Sequence, residues 1–284
     1  MTTLAILLIL LSAGIHATWN LYAKRLAGGS EAVWLFTLVA VVIYAPPAAI
    51  AVYVADYRPE TIDWLYLLGT GVLQAIYFTV LRRGYAAGDL SIVYPLARGS
   101  GPLMAMFLAV VLIGERPSPL TIAGAVVVTL GTLLLATPVR STRHQQLAVA
   151  YGVATGMVIG CYTAWDGYAV GTLAIPALLM GWAADAGRLA CLTPVAMSRR
   201  SLIGGIWRRH RLEILGIGVL STLSYVMVLS AMAIAPISSI APAREISIVF
   251  GTILGMTLLG EPGGARRLAA ATIIAAGVGV VALG

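Results

Sequence analysis

The sequence predicts an all-α, polytopic membrane protein with ten transmembrane helices in two inverted five-helix repeats, residues 1–139 and 140–284. Three observations carry that prediction. The chain is 60% hydrophobic and only 10% charged, with a mean hydropathy of +0.95, a balance that a core and shell in water do not reach. Apolar runs of about 20 residues, each enough to span the hydrocarbon as a helix, recur along the whole length. Landmarks of the first half return 146 residues later: Arg98 as Arg244, Glu115 as Glu261, and Trp19, Asn20 and Tyr22 as Trp165, Asp166 and Tyr168.

The spans fall at 3–23, 32–54, 63–85, 90–113, 119–137, 146–169, 172–195, 212–234, 237–259 and 265–283. The first has no basic residue before it and no small-residue cleavage site after it, so it reads as a retained helix and not as a signal peptide. In the fourth, Pro95 and Pro102 flank Arg98, and the apolar run stops at Gly114-Glu115. Ser118-Pro119 marks the start of the fifth, a serine N-cap followed by proline at the first helical position. Gly152, Gly156 and Gly160 give the sixth a small-residue face, and Gly251 and Gly255 do so on the ninth, where backbones can approach closely. On the seventh, Asp185 and Arg188 stand three apart and read as a structural pair on one face. Pro236 and Pro242 bend the ninth. Basic loops set the orientation: connections after odd-numbered spans hold Arg82-Arg83, Arg199-Arg200, Arg208-Arg209 and Arg266-Arg267, whereas the even side holds Arg58 and Arg116. The basic side is expected in the cytoplasm. Five crossings per half then make the second copy enter the membrane from the opposite side, the plan of many secondary transporters.

Composition also excludes functions. The net charge of +7 sits in short loops between spans, so topology accounts for it better than a nucleic-acid partner does. The connector 198–211 mixes Arg with Leu, Ile and Trp207 and reads as a segment at the headgroup level, with an acidic partner as the alternative. Cys161 and Cys191 lie in apolar segments and suggest neither a disulfide framework nor a metal site. No phosphate-cradling loop, HExxH or nucleophile elbow occurs, so no catalytic residue, cofactor or metal is expected.

Ionisable groups at membrane depth need a partner or a wet cavity. Arg98 and Arg244, repeat mates in the proline-containing helices, can hold a substrate carboxylate through paired hydrogen bonds. Alternatively each caps carbonyls freed by proline, or Arg244 pairs with Glu245 or Asp166. His16, Trp19 and Asn20 share one face of the first helix, and Tyr162, Trp165 and Asp166 share one face of the sixth. Such faces suit a cavity for a small amphipathic ligand, completed by Tyr77, Phe78, Tyr94 and Tyr225; the competing reading is an interfacial belt, to which Trp34, Tyr44, Tyr53, Trp64, Tyr66 and Trp207 are assigned. Glu115 and Glu261 are expected at the N-terminal ends of the helices that follow them, where the dipole favours negative charge.

Two five-helix halves, each with a proline-containing fourth helix that ends in Gly-Glu (Pro102 to Gly114-Glu115, Pro242 to Gly260-Glu261), resemble the EamA-type branch of the drug/metabolite transporter superfamily over essentially the whole chain. Aromatic inner faces and paired intramembrane arginines make it similar to the YddG-type exporters of aromatic and other neutral amino acids. The resemblance implies export from the cytoplasm by alternating access, through a central cavity lined by helices 1, 3, 4, 6, 8 and 9. It sets Trp19, Tyr77, Tyr94, Arg98, Trp165, Tyr225 and Arg244 on cavity helices; with Phe78 and Asp166 these are the candidate substrate-binding residues. The expected partners are a small-molecule substrate and membrane lipid, in a cell inner (plasma) membrane. The alternatives are an exporter of cationic drugs or other metabolites, which needs an exposed cavity carboxylate, and a passive channel.

Overall fold

The computed structural model describes residues 1–26, 29–87, 90–136, 143–259 and 264–284. Its regular elements are all helical. They run α1 (Thr3–Arg25), α2 (Ser30–Val54), α3 (Thr61–Ala87), α4 (Leu90–Leu108), a π-helical turn (Ala109–Ile113) and α5 (Pro119–Leu133). Next come α6 (Arg143–Gly171), α7 (Ala177–Ser198), α8 (Arg200–Met232), α9 (Ile237–Ala243), α10 (Ile246–Leu259) and α11 (Ala265–Leu283). Among the described residues, eight segments are long and apolar enough to cross a membrane, and α5 is a shorter apolar helix. The chain is a multi-pass membrane protein.

Local chemistry sets the helix ends. Thr2 caps α1, its hydroxyl accepting from Ala5 N at 3.3 Å. Ser118 caps α5 in the same way, accepting from Thr121 N at 3.1 Å, with Pro119 in the first turn as the Ser-Pro pair predicts. Gly114 closes the π-helical turn at φ 81°, a left-handed conformation open to glycine, and so redirects the chain before Glu115.

The expected ninth span is not one helix. Pro242 brings no N–H, and the α-helical ladder gives way to shorter-range bonds: Glu245 N to Pro242 O at 3.2 Å, Ser247 N to Arg244 O at 3.2 Å and Ile248 N to Glu245 O at 2.9 Å. The break between α9 and α10 therefore falls at Arg244-Glu245. The seventh helix begins at Ala177, after Pro176, and not at residue 172. The 198–211 connector is mostly helical and joins the rest of α8 across a kink at His210 (φ −128°, ψ 29°). Arg140, Gly260, Glu261 and Pro262 lie outside the described residues.

Packing pairs α4 with α6, α1 with α8 and α10, α3 with α6 and α7, α2 with α7 and α8, and α5 with α11. Exchanging α1 with α6, α2 with α7, α3 with α8, α4 with α9–α10 and α5 with α11 returns these same pairings. The seams differ in tightness. In the α4–α6 seam a Cβ on Gly156 would stand 1.9 Å from Ser100 Oγ, and one on Gly160 would stand 2.5 Å from Met104 Cβ, so the glycine face read from the sequence is a close backbone approach. At the corresponding α1–α10 seam, neither Gly14 nor Gly251 has anything within 4 Å of an added Cβ. An apolar groove lies there instead, lined by Leu7, Leu11, Gly14 and Phe250 among others.

Two tryptophans tie α2 to α7: Trp34 Nε1 donates to Thr193 Oγ1 and Trp182 Nε1 to Val41 O, both at 3.0 Å. Tyr44 donates to Val219 O at 2.7 Å. Trp34 and Tyr44, assigned to the belt from their positions near span ends, are thus interhelical fasteners. Tyr53 (86% exposed) and Trp64 (55% exposed) do face outward.

Gly156→Leu is expected to lower the stability of the detergent-solubilised protein by about 1–3 kcal/mol through overpacking. Gly251→Ala should change it by less than about 1 kcal/mol. Thermal unfolding midpoints of the two variants, read side by side, check the difference.

Candidate functional site

A cavity of about 300 Å³ lies inside the bundle, at the lower end of the roughly 300–1,000 Å³ typical of small-molecule sites. From α1 it receives Ser12, His16, Trp19 and Asn20; from α3, Gln74, Tyr77 and Phe78; from α4, Tyr94 and Arg98. Tyr162 reaches it from α6, Tyr225 from α8, and Arg244 and Ser247 from the broken α9–α10 helix. The rings meet edge to face: Tyr77 and Tyr162 at a centroid distance of 5.7 Å, Tyr162 and Tyr225 at 6.4 Å, and His16 and Trp19 at 4.9 Å.

Charge is organised in two clusters on the wall. In the first, Arg98 Nε stands 2.9 Å from Glu245 Oε2 and Arg244 Nε 3.6 Å from Glu245 Oε1. Arg98 Nη2 also donates to Ser247 Oγ at 3.0 Å, and Arg244 Nη1 to Thr163 Oγ1 at 3.3 Å. Two guanidinium groups thus share one fully buried carboxylate, which leaves the cluster one positive charge in excess when all three are ionised. In the second, Arg188 Nη1 pairs with Asp185 Oδ1 at 3.1 Å while Thr222 Oγ1 donates to Asp185 Oδ2 at 2.6 Å. Arg188 Nη2 donates to Gln74 Oε1 at 3.1 Å.

One end of the cavity is sealed and the other is the mouth. The seal is a hydrophobic cluster of α1, α3, α6, α7, α8 and α9 ends, including Ile9, Leu67, Val170, Met180, Met232 and Ile237. The mouth lies where Asn20, Leu81 and Tyr94 line the cavity, at the end of the bundle that carries Arg82-Arg83 and Arg199-Arg200. With a hydrophobic cluster at one end, a charged wall and an aromatic lining, the cavity has the make-up of a small-molecule pocket in a membrane bundle. Residues 3–137 match the model of the EamA-like transporter family. The first half of the chain is EamA-like.

That half of the chain is similar to a family of transporters. A solved structure described only as the crystal structure of a protein covers 100% of this chain and 98% of its own, with a TM-score of 0.77 at 16% identity, a shared fold. No curated protein matches.

In this bundle the candidate residues divide. Trp19, Tyr77, Phe78, Tyr94, Arg98, Tyr225 and Arg244 line the cavity. Trp165 does not. Its ring stacks on Tyr66 at 4.3 Å, its Nε1 donates to Tyr66 O at 3.0 Å, and it lies over Gly69, where a Cβ would fall 2.5 Å from the indole. Tyr66 is therefore part of the seal and not of a belt. Asp166 is fully buried behind the wall and accepts the hydroxyl of Tyr225, so it meets the cavity through that ring. Gln74, Asp185, Arg188, Thr222 and Ser247 also line the cavity; the sequence offers Asp185 and Arg188 as a structural pair and does not single out the other three. The available signal for Gln74 was an amide in mid-helix, three and four residues before Tyr77 and Phe78.

Glu115 also differs from its expected place. Its Oε1 accepts from Ile237 N at 2.7 Å and its Oε2 from Ser238 N at 2.9 Å, so it satisfies the first turn of α9 in the other half of the chain, while Ser118 caps the helix that follows it. Glu115→Ala strands two buried backbone donors and is expected to lower stability by about 1.5–3 kcal/mol, with Glu115→Gln intermediate. Thermal unfolding of the purified variants checks that order.

Proposed function

We propose that the protein exports small amphipathic metabolites, aromatic and other neutral amino acids first among them, by alternating access between two inverted five-helix halves in the inner (plasma) membrane. The observation that carries this reading is the Arg98–Glu245–Arg244 cluster on the wall of a ring-lined cavity. One carboxylate between two guanidinium groups leaves a site for a second, and the carboxylate of a substrate fits it in charge and in planar geometry. Tyr77, Phe78, Tyr94, Tyr162 and Tyr225 then offer faces and edges to an apolar or aromatic side chain.

The halves are residues 1–139 and 140–284, and α9 and α10 together make the ninth of ten crossings. The packing pairs that survive exchange of the halves support this inverted plan. With the mouth at the basic end, the positive-inside rule has the cavity loading from the cytoplasm. Trp165 acts in the seal and Asp166 positions Tyr225, so both act on the substrate at one remove. A cationic-drug exporter would need a carboxylate exposed in the cavity. Asp166 is buried, and Asp185 and Glu245 are each matched by arginine, which favours the amino-acid reading. The sealed end argues against an open channel.

In proteoliposomes the protein is expected to exchange labelled phenylalanine and tyrosine for unlabelled neutral amino acids, and not choline or sugars. Arg98→Lys and Arg244→Lys, which keep the charge and lose the planar fork, should each lower exchange at least about tenfold. Counterflow rates measure both, and a wild-type protein that exchanges no amino acid overturns the reading.

A further inference from the structure

We infer that Gln74 and Arg188, held by Asp185 and Thr222 on the wall of the same cavity, form a second recognition subsite that reads a neutral hydrogen-bond acceptor at the far end of the substrate. The inference rests on the amino-acid reading above and deepens it: the preferred cargo carries one carboxylate for the Arg98–Arg244 cluster and a hydroxyl or carboxamide oxygen for this one.

The backbone brings the subsite together. At Gly71 and Gly187 the α3 and α7 backbones touch, since a Cβ on Gly187 would fall 2.2 Å from Gly71 Cα. One helical turn further along α3 stands Gln74, and the next residue of α7 is Arg188. The seventh helix thereby lines the cavity, which the family resemblance did not imply.

The donor and acceptor inventory sets what the subsite binds. Arg188 offers only donors, so Gln74 must turn its carbonyl to it, and the amide NH2 of Gln74 is left as a donor on the cavity wall. Both oxygens of Asp185 are engaged, Oδ1 by Arg188 and Oδ2 by Thr222. What remains to offer is donors. Asp185 and Arg188 sum to zero charge, so the subsite has no excess to attract a second anion and suits a neutral acceptor. Gln74 is 3% exposed, so an amide left unmatched there is poorly served by water. A strut between helices would need neither the polar tip of Gln74 nor an ion pair facing the lumen, where charged groups are costly to hold.

The test is the selectivity of the full-length protein in proteoliposomes, read as the ratio of kcat/KM for tyrosine over phenylalanine and for glutamine over leucine. Gln74→Met removes the amide, and Gln74→Glu keeps an acceptor for Arg188 while replacing the free donor. Both variants are expected to lower both ratios about tenfold relative to the wild type, whatever happens to the absolute rates. Ratios that stay at the wild-type value in a Gln74→Glu protein that folds and transports would assign the cluster to helix packing and overturn the inference alone. A wild-type protein that transports none of the four overturns the amino-acid reading, and the inference with it.

Discussion

A guanidinium in the middle of an apolar helix must meet a carboxylate or a wet cavity, and Arg98 meets both. Much of the interior answers to that constraint. Glu245 comes within reach because Pro242 ends α9 and the chain breaks at Arg244-Glu245, which sets a carboxylate and a second arginine side by side at cavity depth. An unbroken helix would have spread those two residues around its circumference. The aromatic lining then gives the ion cluster a low-dielectric surround in which its charge is felt strongly by anything that enters.

The constraint also explains why the halves are alike in pairing and unlike in detail. Arg98 sits three residues after Pro95 in a helix that stays regular, and Arg244 two residues after Pro242 where the helix fails. The two arginines therefore engage different partners, Ser247 for one and Thr163 for the other, around one shared carboxylate. A similar inequality separates the glycine-packed α4–α6 seam from the looser α1–α10 seam.

How much of this was legible in the sequence follows from what sequence patterns measure. The apolar runs, the 146-residue offset and the Ser118-Pro119 start were legible because each is a local or periodic signal. Seven of the nine candidate residues line the cavity for the same reason, being polar or aromatic groups where lipid contact would be unfavourable. Trp165 could not be oriented: α6 is buried on several sides, so no apolar stripe indicates which way its rings point. The spacing of Asp185 and Arg188 told that they pair but not that the pair faces the lumen, which depends on the Gly71–Gly187 contact between distant segments. The helix break after Pro242 needed the tertiary partners of Arg244 and Glu245, since Pro95 and Pro102 leave α4 continuous.

The carboxylate of Glu115 grips two adjacent N–H groups of the opposite half at once. Because both bonds end on one rigid, planar group, neither lengthens far without the other. The join between Glu115 and the start of α9 is consequently a two-point clasp, fixed in orientation as well as in distance.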